Sequence, residues 1–156
     1  MIKILALFCL ALAVLPSCAT ETSSSSTKKP NVVIFMTDDQ GTLDAKSYGA
    51  KDLITPTIDR LAEDGVKFTQ AYSHIVCCPA RALLLTGRHP QRSGIYMWTQ
   101  NSPNTKRGTN LPLSEYTLAE ALKDNGYKTG LFGKWHLGGK KGHWPTDQGF
   151  DRFFGH

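Results

Sequence analysis

Asn31-Val32-Val33-Ile34-Phe35-Met36-Thr37 is a continuous apolar run closed by Asp38-Asp39-Gln40-Gly41. A short apolar run that stops at a polar, glycine-containing turn suits a strand buried on both faces. Helix and strand signals alternate after it. Thr55–Gly65 reads as a helix, with Thr55 as cap, Pro56 in the first turn and Gly65 as the stop. Val66–Tyr72 alternates in part and is expected to return as a strand. Pro79–Thr86 reads as a short helix ending near Gly87. Ser114–Asn125 reads as another, with Ser114 the candidate cap, Leu118, Ala121 and Leu122 on one face, and Gly126 the stop. Tyr127–Phe132 is the next predicted strand and runs into Gly133-Lys134-Trp135-His136. This alternation predicts an α/β fold with a largely parallel sheet. Ligands in such folds gather beyond the carboxyl ends of strands. Asp38-Asp39 and the Lys134–His136 segment both fall at such ends, so one sheet edge would bring them together.

The chain before Asn31 has a different character. Lys3 gives a small positive start and Ile4–Leu15 is almost unbroken apolar sequence. That is short of the about 20 residues a membrane-spanning helix needs and fits the core of an export signal. Leu15-Pro16-Ser17-Cys18-Ala19 resembles a bacterial lipobox, in which Cys18 would become the lipidated first residue. Ordinary signal-peptidase cleavage beside an incidental cysteine is the alternative. Residues 18–30 carry no large apolar side chain and are expected to be a Ser/Thr-rich tether, because nothing in them offsets chain entropy by burial. The organisation expected is thus a signal over 1–17, a tether over 18–30 and a folded part over 31–156. The protein is expected to be exported to the periplasm or the outer cell surface and to meet membrane only through a lipid anchor.

The net charge of +5 is mild, and no basic run is interleaved with aromatic residues as a nucleic-acid surface would be. Of four cysteines, Cys77 and Cys78 alone fall in the folded part. A single vicinal pair is no disulfide framework, and no Cys/His spacing has the pattern of a zinc site.

The segment Cys77-Cys78-Pro79-Ala80-Arg81-Ala82-Leu83-Leu84-Leu85-Thr86-Gly87 resembles the signature of the formylglycine-dependent sulfatases: Cys, any residue, Pro, any residue, Arg, an apolar pair and Thr-Gly. Ile75 and Ala80 stand where a small residue and Ser are common in that family. The resemblance implies an alkaline-phosphatase-like α/β sandwich, incomplete in this chain. It also implies that a maturation enzyme oxidises Cys77 to formylglycine, since only Cys77 has Pro at plus two and Arg at plus four. A hydrated aldehyde is a geminal diol, so one hydroxyl attacks sulfur and the other later expels sulfate, a step a thiol cannot perform. Pro79 would place this group at a helix N-terminus, where the dipole favours anions, and Arg81 would hold a cation towards the diol. Without the resemblance the segment reads as a buried cysteine pair before an amphipathic helix.

By itself Asp38-Asp39 reads as a surface turn. By resemblance the two are metal ligands, with the residue at 77 a third, for calcium or alternatively magnesium. Gly126–Gly138 resembles the family's second signature. Carried over by position, Lys134 binds a sulfate oxygen, and His136 contacts the nucleophile or the sulfate. Gly149-Phe150-Asp151 resembles a segment that follows in the family. Further ligands, an Asp and an Asn, and a further His and Lys come from later in the family's chains, so this sequence is expected to hold half a site, with an uncovered sheet edge.

Three functions compete on these residues. The first is a sulfuric ester hydrolase acting on sulfated carbohydrates or aryl sulfates. The second is a phosphatase or phosphonate ester hydrolase of the same superfamily, which the Cys77 signature disfavours because those enzymes usually present Ser or Thr. The third is an inactive, truncated surface lipoprotein.

Overall fold

The computed structural model of the chain describes residues 28–98 and 110–156. The expected signal peptide, Cys18 and most of the expected tether lie outside the described residues. The chain divides after Phe35. In the first unit residues 28–35 carry no regular structure, and Val33 and Phe35 are 70% and 87% exposed. The strand expected over 31–37 is therefore not formed. A strand buried on both faces needs neighbours on either side, and the described sheet has two strands, neither of which is this one.

In the second unit, Met36–His156, the sheet pairs β1 (Gly130–Gly133) with β2 (Arg152–Gly155) in parallel, Leu131 lying opposite Phe153 and Phe132 opposite Phe154. The α/β class with parallel pairing is as expected, but β1 starts later than Tyr127. The Tyr127 N–H donates to Leu122 O at 3.0 Å, which folds the chain back onto the preceding helix, and Gly126 takes the positive φ of 80° this turn requires. Thr129 is then clamped to the start of β2: its N–H donates to Asp151 Oδ2 at 3.0 Å and its hydroxyl to Gly149 O at 2.7 Å.

Among the described residues four α-helices accompany the sheet: α1 (Pro56–Asp64), α2 (Cys77–Thr86), α3 (Pro90–Ser93) and α4 (Leu118–Asp124). α1 matches its expected limits, including Pro56 in the first turn and Gly65 at the stop. The Thr55 hydroxyl does not cap it, however; it accepts from the Lys46 N–H at 2.9 Å and donates to Asp59 Oδ1 at 3.1 Å. α4 is shorter than expected, and its cap is Thr117 rather than Ser114. The Thr117 hydroxyl accepts from the Glu120 N–H at 3.2 Å while Glu120 Oε2 accepts from the Thr117 N–H at 2.7 Å. Only Thr117 has a glutamate three residues on, the pairing a capping box needs.

Val66–Tyr72 forms no strand. The segment is instead held by the turn at Lys46–Tyr48: Lys67 Nζ donates to Ser47 O at 2.8 Å, and Tyr48 Oη donates to Phe68 O at 3.0 Å. Phe68 and Tyr72 remain exposed.

The core gathers where α2 meets the end of β1. Cys78, Ala82, Ile95, Leu111, Trp135 and Leu137 are buried together, and Leu85, Leu131, Phe150 and Phe153 pack on them. Trp135 meets Phe150 edge to face, with centroids 6.2 Å apart. Gly149, at φ +94°, lies so close to the backbone of Ala119 and Glu120 that a Cβ there has no room. That contact seats α4 against the chain leading into β2.

Candidate active site

α2 begins at Cys77, two residues before the predicted Pro79. Val76 is extended, and the Ala80 N–H makes the first intrahelical bond, to Val76 O at 3.0 Å. Pro79 lacks an N–H, which costs nothing in a first turn whose donors have no intrahelical acceptor. Gly87 closes the helix in the left-handed conformation, φ 63°. The helix therefore presents residue 77 at its N-terminus. Cys77 is half-buried and Cys78 fully buried. Arg81 sits one turn beyond Cys77, hence on the same face.

After β1 the chain alternates. Trp135 and Leu137 point into the core at 4% and 0% exposure, and the Trp135 N–H donates to His156 O at 2.8 Å. That leaves Lys134 and His136 on the other side, facing the start of α2. Arg81 Nη1 donates to Lys134 O at 2.7 Å, tying helix to strand end. Lys134 Nζ donates to Asp38 Oδ2 at 2.8 Å, and Arg81 Nη2 lies 3.7 Å from Asp38 Oδ1. Three residues expected at two strand ends and one helix thus meet around one carboxylate. The ligand atoms of Cys77, Cys78 and His136 lie within 4.8 Å of one another beside them.

The charges adjust to this packing. The hydrogen bond from Lys134, with help from Arg81, holds the Asp38 carboxyl below its ordinary range. The same bond, together with the nearby Cys77 sulfur, pushes the Lys134 ammonium up. Burial, then the cations of Lys134 and Arg81, push His136 down, so its imidazole is neutral at pH 7.

Two non-glycine residues among those described have a positive φ: Asp39 at 57° and His136 at 55°. Such conformations cost about 1–3 kcal/mol and cluster at functional sites. Both residues were singled out by sequence. Asp39 is exposed and takes no part in the Asp38 ion pairs. What sequence reading missed is Cys78 as a neighbour of His136; its adjacency to Cys77 was the available signal.

The residue types suit the groups the sequence implied, but among the described residues Cys77 gathers with Cys78 and His136 rather than with Asp38 and Asp39. Arg81 Nε is buried without a hydrogen-bond partner among the described residues, so a donor stands free one turn from position 77, where diol oxygens could accept from it. Asp38 and Asp39 offer the hard oxygens a calcium or magnesium ion takes, as part of a shell of roughly six to eight for calcium. Two cations, a neutral imidazole and a helix N-terminus can together hold a tetrahedral oxyanion.

The family model Sulfatase matches residues 30–156. The chain is similar to steryl-sulfatase of Homo sapiens, 43% identical over 144 residues, covering 86% of this chain and 25% of that one. It is similar to arylsulfatase A of Homo sapiens, 46% identical over 131 residues, covering 82% and 25%. Among solved structures it resembles Ps i-CgsB, at a TM-score of 0.73 and 39% identity over 82% of this chain and 28% of that one. It also resembles the PsFucS1 sulfatase from Pseudoalteromonas sp., at a TM-score of 0.69, 39% identity and coverage of 82% and 26%. The chain spans about a quarter of the length of these relatives. Matched over nearly all its described residues and at more than two-fifths identity to named sulfatases, the chain belongs to the sulfatase family.

Proposed function

We propose that the protein is a sulfuric ester hydrolase that releases inorganic sulfate from sulfated carbohydrates or aryl sulfates, with Cys77 converted to formylglycine by a maturation enzyme. The observation that carries this reading is the meeting of Arg81, Lys134 and His136 around the α2 N-terminus that bears Cys77. Carbohydrate is favoured among the substrates because a relative at 39% identity, Ps i-CgsB, has been solved in complex with k-i-k-neocarrahexaose. Export, with a lipid anchor at Cys18, suits such polymeric substrates outside the cell.

In this reading formylglycine supplies the attacking hydroxyl. Asp38 and Asp39, with residue 77, would hold a calcium or magnesium ion, which would supply positive charge to the sulfate oxygens. The chain's own residues do the remainder. Lys134 and Arg81 place two fixed cations where negative charge develops, the main source of rate enhancement in such sites. Arg81 adds an orienting role, because its guanidinium is already fixed to Lys134 O. His136, neutral at pH 7, can take or hold a proton on its ring at the nucleophile or the sulfate. The Cys77 signature separates this reading from a phosphatase or phosphonate hydrolase.

The test is a panel assay of the full-length protein, co-produced with a formylglycine-generating enzyme, on a chromogenic aryl sulfate, sulfated oligosaccharides and the matching phosphate esters. Sulfate release well above phosphate release supports the proposal. Phosphate release alone, or no turnover by aldehyde-bearing protein, overturns it.

A further inference from the structure

Cys77, Cys78 and His136 converge without any call on Asp38 and Asp39. Their three ligand atoms lie within 4.8 Å of one another, with Cys78 buried and the other two half-buried. In a tetrahedral zinc site with Zn–S bonds of about 2.3 Å, the two sulfurs stand roughly 3.8 Å apart. Small side-chain adjustments therefore suffice to close these atoms on one ion. The donor types point the same way. Thiolate and imidazole are soft to borderline ligands that favour zinc-class ions, unlike the carboxylate oxygens that suit calcium. Trp135 and Leu137, buried on either side of His136, hold its backbone in place.

We propose that, while Cys77 is still a thiol, Cys77 Sγ, Cys78 Sγ and one ring nitrogen of His136 form a binding site for a thiophilic divalent cation of the zinc class, with water as the fourth ligand. Binding forms two metal–sulfur bonds and one metal–nitrogen bond and releases the two thiol protons to solvent, with no change of oxidation state. Two thiolates cancel the charge of the dication, so loading adds no net charge beside Lys134 and Arg81. The site and the aldehyde exclude each other, a consequence that rests on the formylglycine reading: conversion removes the Cys77 sulfur and leaves two donors. A loaded chain is thus a precursor held back from conversion.

The test uses the full chain carrying Cys9→Ser and Cys18→Ser, made in a host without the maturation enzyme. Co2+ is the spectroscopic probe and Zn2+ the competitor. The expected result is one Co2+ per chain, a thiolate-to-cobalt charge-transfer band, and displacement of that band by Zn2+. His136→Asn, whose side chain tolerates a positive φ, should weaken binding at least about tenfold, as loss of one of three protein ligands requires. X-ray absorption of the zinc form should show two sulfur neighbours at about 2.3 Å and nitrogen at about 2.0–2.1 Å. A folded chain without the band, a band indifferent to His136→Asn, or a metal-bridged dimer would each overturn the proposal. None of these readouts involves ester hydrolysis, so the site can fail while the proposed function stands, and the reverse.

Discussion

Lys134 Nζ donates to the Asp38 carboxylate at 2.8 Å across 96 residues of sequence, joining the end of β1 to the turn that carries the expected metal ligands. The pair sets a pH window. Asp38 is held below its ordinary 3.8, so its contribution to stability is present above 3.8 and is lost as pH falls through the lowered value. Lys134 is held above its ordinary 10.5, so its contribution is present below 10.5 and is lost as pH rises through the raised value. Lys134→Met should therefore move the Asp38 titration up toward 3.8, with Arg81 still lowering it in part, as read by NMR. A titration that does not move would show that another group holds Asp38.

Arg81→Lys should lower kcat/KM by roughly a hundredfold or more in the full-length enzyme, the scale seen when one donor to a developing oxyanion is lost. A lysine keeps the charge but its single nitrogen cannot at once bond Lys134 O and approach Asp38 as the two terminal guanidinium nitrogens do. Near-normal kinetics for this variant would assign Arg81 a purely structural place.

Asp39→Asn isolates charge from conformation, because asparagine also tolerates the left-handed backbone found there, φ 57°. Calcium affinity should fall at least about tenfold by calorimetry, as expected when a hard cation loses an anionic oxygen. Unchanged affinity would remove Asp39 from the ligand set.

Away from the site, Asp151 is held at about 2, chiefly by Lys123 and then by the Thr129 N–H. Its stabilising effect is present above 3.8 and is lost as pH falls through about 2. Asp151→Asn should lower the thermal midpoint at pH 7, and by progressively less as pH falls through about 2. Gly149→Ala, in contrast, should destabilise by about 1–3 kcal/mol or more across that range, since the strain and the clash with α4 do not titrate.

Local signals were the legible part of the sequence. Pro56 and Gly65 bounded α1, Gly87 ended α2, and the string after Cys77 identified the family, because each works within a few residues of itself. Thr117 was legible too, through Glu120, but Ser114 was preferred. Strands were read less well. Asn31–Thr37 and Val66–Tyr72 have the composition of strands, yet a strand exists only with hydrogen-bonding neighbours, and the described sheet holds two strands. The chain spans about a quarter of the length of the relatives it matches. β2 went unread because its pairing with β1 depends on Thr129 meeting Asp151, a contact between distant residues.

The central claim concerns position 77, and mass spectrometry of one peptide addresses it. Full-length protein made with the maturation enzyme should yield a peptide spanning Ile75–Arg81 in which Cys77 carries an aldehyde and Cys78 remains a thiol. Only Cys77 has Pro79 and Arg81 at the required spacing. Cys77→Ala should then abolish turnover. An unmodified Cys77 in a fully active enzyme would contradict the account.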